Sequence, residues 1–269
     1  MNYEKQFELL KEEIKELEEG KVKNSLTRLE NILACLHNEF VVRREEKVRI
    51  RIDEHINQRI SEIRSGKTVM TLGDVPKLVV HFIPFSAFEF EKLNYEIGLN
   101  FKNYQGFNLK PLYVAVGDGY NYRVDKDGVC AYKDLYGYSK LYSTGIFEAV
   151  ELGMFSYNAI YSSLVETEIL EALETYQKVL NKVEPKGNFL VSVQLLNIKE
   201  FPLIYRNEIG LDNSTKPYRE EDLILRPIVL SSINDSADLA IKPMFDELWR
   251  AFGFTESKNY VNGEYVRDK

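Results

Sequence analysis

Cysteine is nearly missing from this chain: 269 residues carry two, Cys35 and Cys130, with no CxxC pair. That excludes a disulfide framework and a cysteine-rich zinc site, and it fits a reducing cytosol. Histidine is almost as scarce. His37, His55 and His81 are the full set, with no HxxxH or HExxH spacing, so neither a metal nor a cofactor is expected. No apolar run approaches the roughly 18 residues of a spanning helix. The opening MNYEKQFELLKEEIKELEEG lacks the basic-then-apolar pattern of a secretory leader. The expectation is a cytoplasmic protein without membrane association. An excess of positive charge is lacking too: Lys and Arg number 35 against 42 Asp and Glu, a net charge of −7. Attraction of the whole chain to nucleic acid is therefore not indicated, because that binding rests on neutralising phosphates.

What is present is helical first. Tyr3, Phe7, Leu10, Ile14 and Leu17 are spaced 4, 3, 4, 3, the a/d seam of a coiled coil. Gly20 interrupts the pattern. Leu26, Leu29, Leu33, Leu36 and Phe40 then repeat it after caps at Asn24 and Ser25. These spacings predict an antiparallel hairpin, with helices near Asn2–Glu19 and Ser25–Phe40. A seam this short is marginal alone and must pack on something. A third helix is expected over Arg43–Ser65, with Val48, Ile52, Ile56, Ile60 and Ile63 on one face and Gly66 at its end.

From Lys77 the period changes. LVVHFI reads as a buried strand stopped by Pro84, and Phe88–Leu99 is ambiguous. Leu112–Val116, Tyr120–Val124 and Val129–Lys133 read as a meander joined by Asp-Gly turns, which Tyr138–Val150 continues. Tyr161–Val183 and Ile241–Phe252 have helical period. Asn188–Leu196, Phe201–Tyr205 and Leu223–Leu230 read as strands, and Asp212–Pro217 as a loop. The class is α+β: a helical hairpin over 1–42, then a domain over 43–269 in which a third helix precedes a mixed, antiparallel-rich sheet with two packing helices.

Several motifs occur in a fixed order: the basic helix ending Ile-Arg-Ser-Gly, VVHFIPFSAF, YNYRVDKDG, GYSKLYSTGIFEAVE, NFLVSVQLL and IKPMFDELWRAFGF, followed by Asn262-Gly263-Glu264-Tyr265. With this series, Arg43 to Arg267 resembles the C-terminal region of prokaryotic Schlafen-type (Alba-like, ATP-binding) regulators. The nucleotide-binding domain of that family lies N-terminal to this region and has no counterpart in these residues, so the resemblance does not imply ATP binding. It implies a regulatory or mobile-element defence setting.

Individual constellations point weakly to chemistry. SEIRSGKT at Ser61–Thr68 has Ser61 where a P-loop needs glycine, and it ends a helix instead of following a strand. His81 lies among Val79, Val80, Phe82 and Ile83, the setting of a core histidine; as a general base it would work at a pocket edge with Ser86. No GxSxG elbow accompanies them. Asp125-Lys126-Asp127-Gly128 reads as a hairpin turn, since it lacks the spacing of a calcium loop. No Asp/Glu set has nuclease spacing, and the acids of the Tyr161–Val183 helix read as a solvated face.

Three functions are compatible with this inventory. The first is a non-enzymatic sensor or adaptor that joins another protein subunit, or itself, through Phe7, Leu10, Ile14, Leu17, Leu26, Leu29, Leu33 and Leu36. The second is a nucleic-acid-binding module. Its candidates are Arg43, Arg44, Lys47, Arg49 and Arg51 of the basic helix, with Tyr120, Tyr122 and Arg123 on a tyrosine-rich sheet. A solvated helix face and cross-strand packing explain the same residues without a ligand. The third is a hydrolase centred on His81 and Ser86.

Overall fold

The computed structural model describes residues 3–18, 22–89, 109–112, 119–155, 157–183, 188–206, 212–230 and 236–267. The chain divides into two compact units, Met1–Asp53 and Glu54–Lys269.

The first unit is helical. Helix α1 spans Tyr3–Glu18 and is followed by α2, Val22–Arg64. The helices expected over Ser25–Phe40 and Arg43–Ser65 thus run on as one helix of 43 residues. The physical reason is in the sequence: Val22–Arg64 holds neither glycine nor proline, and the β-branched pair Val41-Val42 costs a helix only tenths of a kcal/mol per residue, about 0.5. Asn24 and Ser25 consequently lie inside the helix, not at its cap. Arg28 Nη1 donates to Glu13 Oε1 at 3.2 Å and ties α2 to α1. At its far end α2 stops where predicted. Gly66 takes a φ of +74°, Lys67 N donates to Glu62 O and Gly66 N to Ile63 O, a Schellman closure.

The second unit is built on a large sheet. Strand β1 is Lys77–Pro84, followed by the single helical turn α3, Ser86–Glu89. The meander comprises β2 (Asn121–Asp125), β3 (Gly128–Lys133), β4 (Gly137–Tyr142) and β5 (Phe147–Glu151). After β6 (Ile160–Tyr161) comes helix α4 (Ser162–Val183), then β7 (Phe189–Leu196), β8 (Leu203–Arg206), β9 (Asp212–Ser214), β10 (Leu223–Ile224) and β11 (Ile228–Leu230). Helix α5 (Ala237–Ala251) and the hairpin β12–β13 (Tyr260–Val261, Glu264–Tyr265) close the unit. The strand order is β10-β7-β1-β5-β4-β3-β2, with β11 also on β7, and every neighbouring pair in it is antiparallel. A small second sheet, β6-β8-β9, contains a parallel β6–β8 pair. The expected α+β class is what forms, but the large sheet is antiparallel throughout rather than mixed, and the parallel pair lies in the small sheet.

Strand β1 lies between β5 and β7 and is buried along its whole length, which explains its near-continuous apolar run. Its two faces enter different cores. Leu78, Val80 and Phe82 join Phe147, Ala149, Val191, Val193 and Leu195 under α4 and α5, which contribute Val165, Ile169, Leu173, Tyr176, Ile241, Phe245 and Trp249. Val79 joins Val150, Tyr138, Cys130 and Leu196 on the other face, with Ile63 of α2 and Leu72. The loop expected at Asp212–Pro217 contributes the short strand β9. The Leu223–Leu230 strand is split into β10 and β11 around Pro227, which cannot donate to a ladder. Residues 113–116 of the expected Leu112–Val116 strand, and most of Phe88–Leu99, lie outside the described residues.

Candidate functional site: a buried carboxylate beneath helix α2

The sheet face beneath the C-terminal part of α2 carries one row of side chains that is not apolar. Strand register fixes it. Ser192 of β7 pairs with His81 of β1, His81 with Glu148 of β5, Glu148 with Lys140 of β4, Lys140 with Cys130 of β3, and Cys130 with Arg123 of β2. Because side chains alternate along a strand, a row in register stays on one face across the sheet. At its centre Glu148 is fully buried.

A buried carboxylate is costly unless paired and hydrogen-bonded. Glu148 is both. Arg59, on α2, reaches it bidentately: Nε donates to Oε2 at 2.7 Å and Nη2 to Oε1 at 2.8 Å. Tyr138 donates to Oε1 at 2.7 Å, and Tyr142 at 3.4 Å. His81 Nε2 lies 3.1 Å from Oε2. Burial pushes the Glu148 carboxyl up, but the hydrogen bonds from Arg59 and His81 outweigh it and hold the group well below the usual carboxylate range. Burial disfavours the Arg59 charge, and the Glu148 partnership more than restores it. Tyr138 and Tyr142 are pushed upward by burial and by the adjacent carboxylate, so both remain phenols. Arg59 also binds Glu62 through Nη1.

These contacts decide what the group can do. An anion with five donor contacts is not a general base. It orients the imidazole instead: the carboxylate faces Nε2 as an acceptor, and Nδ1 is the nitrogen turned away from it. Nδ1 has no hydrogen-bond partner. Nor have Ser192 Oγ, Ser86 Oγ and His55 Nε2. His55 packs edge-on against Phe88, with ring centroids 5.5 Å apart, and burial first, then neighbouring His81, lowers its pKa to about 4. The order Ser192–His81–Glu148 is that of a nucleophile, base and acid. Solvent does not reach these three, however: they are 1%, 0% and 0% exposed. The arrangement binds α2 to the sheet.

The residues singled out from sequence fall in several places. His81 and Ser86 are both buried, and no hydrogen bond joins them; the serine beside His81 in the ladder is Ser192. Arg43 is engaged by Glu39 at 2.9 Å, one turn away. Lys47, Arg49 and Arg51 are exposed along α2, and Arg44 is half-buried. Tyr120 and Tyr122 share one face of the edge strand, with hydroxyls 3.0 Å and ring centroids 5.2 Å apart. Arg123 takes the other face, where Asp125 accepts from it at 2.7 and 3.2 Å. Lys140 is neutralised likewise by Asp127 at 2.8 Å. Of the seam, Ile14 and Leu33 are exposed, and Leu10, Leu29 and Leu36 are half-buried. The side chains of Phe7, Leu17 and Leu26 lie outside the described residues.

Sequence reasoning missed Glu148 and Arg59. Glu148 sits inside the apolar run IFEAV, and a lone acid in a strand so apolar was the available signal. Arg59 looked like one cation among seven in the basic helix. Among the described residues, no group of three or more His, Cys, Asp or Glu could hold a metal, and no helix is long and apolar enough to cross a membrane. No family model, curated protein or solved structure matches the chain.

Proposed function

We propose that this chain is a non-enzymatic association module, a sensor or adaptor subunit that binds another subunit, or a second copy of itself, through its N-terminal helices. The distribution of exposed apolar side chains supports this reading. Sixteen large hydrophobic residues are exposed among the described residues, and seven lie in the helical unit: Leu9, Ile14, Leu33, Phe40, Val41, Val42 and Ile50. Leu33 and Phe40, each 56% exposed, are one heptad apart and share a stripe. A concentration of apolar surface beyond scattered single residues marks interaction sites. The resemblance to Schlafen-type regulators supplies the setting, a prokaryotic regulatory or defence assembly in the cytoplasm. The sealed His81–Glu148 group agrees with a non-catalytic role.

The test is capture of the tagged full chain from its own cells with and without nuclease, beside sedimentation equilibrium of the purified protein. A nuclease-resistant partner, or a dimer, is expected, and Leu33→Glu with Phe40→Glu should remove it. A monomer without a protein partner overturns the reading. Recovery of nucleic acid alone, lost in nuclease and weakened steeply by salt, would transfer the function to Lys47, Arg49 and Arg51.

A further inference from the structure

A cleft opens on the opposite side of the sheet from the Glu148 row, beside α4. Counted out to open solvent, it encloses about 390 Å³. One wall is a stripe of α4 at helical spacing: Glu168, Glu171, Ala172, Thr175 and Tyr176. Leu109, Lys110 and Leu112 form the other, and Phe147 of β5 joins Tyr176 at the floor.

The floor is rigid. Tyr176 donates to Gly145 O at 2.6 Å and is fully buried. The rings of Phe82, Phe147 and Tyr176 pack mutually, with centroids 5.1 to 5.9 Å apart. Such a floor needs no reorganisation to receive an apolar group. Towards the start of the stripe stands Glu168, half-buried. Its carboxylate accepts no hydrogen bond and forms no ion pair among the described residues. Among the described residues the one cation lining the cleft, Lys110, lies 3.7 Å from Glu171. Burial raises the Glu168 carboxyl to about 7; Lys110 lowers it, and Glu171 raises it further. With Glu168 ionised, above pH 7, the three charged groups that line the cleft among the described residues sum to one negative charge. Eight residues of helix separate Glu168 from Tyr176, about 12 Å along the axis. The cleft therefore offers an uncompensated carboxylate at one end and apolar and aromatic surface along the rest.

We propose that this cleft binds a small linear organic ammonium ion, with its charged head on Glu168 and its alkyl tail along Ala172 towards Phe147 and Tyr176. The cation supplies the partner that Glu168 lacks, and the tail covers Leu109, Leu112 and the aromatic floor. An anion would meet net negative charge. A neutral chain of the same length would leave the carboxylate unpaired. The inference is independent of the association reading, since it involves no residue of the helical unit. Proton and ligand compete for Glu168, so binding should be full above pH 7 and weaken as pH falls through that value.

The test uses the full chain with methyl-labelled Leu, Ala and Thr, titrated with n-hexylammonium chloride or 1-hexanol at pH 8 and followed by NMR. Hexylammonium should saturably shift the methyl signals of Leu109, Leu112 and Ala172, with affinity about tenfold or more above that of hexanol. Glu168→Gln should retain the fold, since it removes an unpaired carboxylate, and it should abolish the preference for the amine. Ala172→Leu, which fills the cleft and keeps the charge, should abolish binding of both. Equal affinity for alcohol and amine overturns the proposal. So does a preference that survives Glu168→Gln, binding that survives Ala172→Leu, or the absence of saturable shifts at these methyls.

Discussion

Replacing Glu148 by glutamine keeps the volume of the buried group and removes its charge, which isolates the electrostatic part of the α2–sheet contact. In the native protein the carboxylate accepts from Arg59, Tyr138, Tyr142 and His81. Glutamine offers one accepting oxygen and turns an NH2 towards groups that are themselves donors. Arg59, whose side chain is 14% exposed, is left with Glu62 alone. Removing one partner of a buried ion pair costs about 3 to 5 kcal/mol, because the other charge stays buried and uncompensated. For a unit the size of 54–269, each kcal/mol moves the midpoint by about 2 to 4 °C, so Tm should fall by about 6 to 20 °C. Calorimetry checks this. Two controls sharpen it. Glu62→Gln removes the more exposed partner of Arg59 and should cost less than about 1 kcal/mol. The double variant Arg59→Met, Glu148→Leu removes both charges and should lose less than Glu148→Gln, the remaining loss coming from Tyr138, Tyr142 and His81, whose acceptor is gone. If Glu148→Gln lies within about 1 kcal/mol of wild type, or if the double variant is no better than the single, then the pair does not hold α2 as argued.

Other expectations follow from separate parts of the second unit. Glu166 on α4 is fully buried and accepts from Trp249 Nε1 at 2.7 Å, Asn259 Nδ2 at 2.8 Å and Ser257 Oγ at 3.0 Å, joining α4 to α5 and the C-terminal segment. Burial lifts its pKa to about 7 in spite of those bonds. A raised acid favours the folded state while protonated, so its contribution is full below about pH 4.5 and lost as pH rises through 7, about 3 kcal/mol in all. In Glu166→Gln this slope should vanish from the difference between the two Tm-versus-pH curves. Glu148 has the opposite sign: its contribution is present above about pH 4.5 and fails only in acid, as pH falls towards its depressed folded pKa. Gly137→Ala should be among the most damaging single changes, because φ is +135° and the new Cβ would stand 1.9 Å from Val150 O. Gly66→Ala meets no atom within 4 Å at φ +74° and should cost only the left-handed backbone penalty, about 1 to 2 kcal/mol in urea denaturation.

Local pattern predicted much of this fold but, of the site, only His81, because the rest depends on pairing across the sheet. The meander was legible because Asp-Gly turns and alternating residues declare hairpins; β2 and β3 meet at Asp125–Gly128 as the turn chemistry requires. Helix α4 was legible from period. The boundary between the second and third helices was misplaced because two apolar seams in different registers suggested a break, while no residue at Phe40–Arg43 could make one. The site was opaque for a different reason. His81, Glu148 and Ser192 are separated by tens of residues in sequence, and their meeting depends on β1 lying between β5 and β7. That order is a tertiary fact that no local spacing encodes. Ser86, next to His81 in the chain, was therefore chosen over Ser192, next to it in the sheet.

The two faces of the sheet also specify their helices by different means. Under α4 and α5 the contact is a broad apolar cluster, where many similar side chains share the burial. Under α2 the contact combines a smaller apolar cluster with the buried Arg59–Glu148 pair and the more exposed Arg64–Asp222 pair. Slipping α2 by one turn would carry Arg59 about 5.4 Å from Glu148, and by one residue about 100° around the axis. Either move strands a carboxylate with no route to water, whereas Ile56, Ile60 and Ile63 would find substitute apolar contacts. The pair therefore penalises wrong registers more than it stabilises the right one, a role in which buried ionic groups are well attested. Hydrogen exchange of the amides in residues 54–64 separates the two effects. Arg59→Met, Glu148→Leu should melt above Glu148→Gln and yet exchange faster than it across that segment, as alternative helix registers become accessible. Native protection throughout 54–64 in the double variant would show that apolar packing alone sets the register.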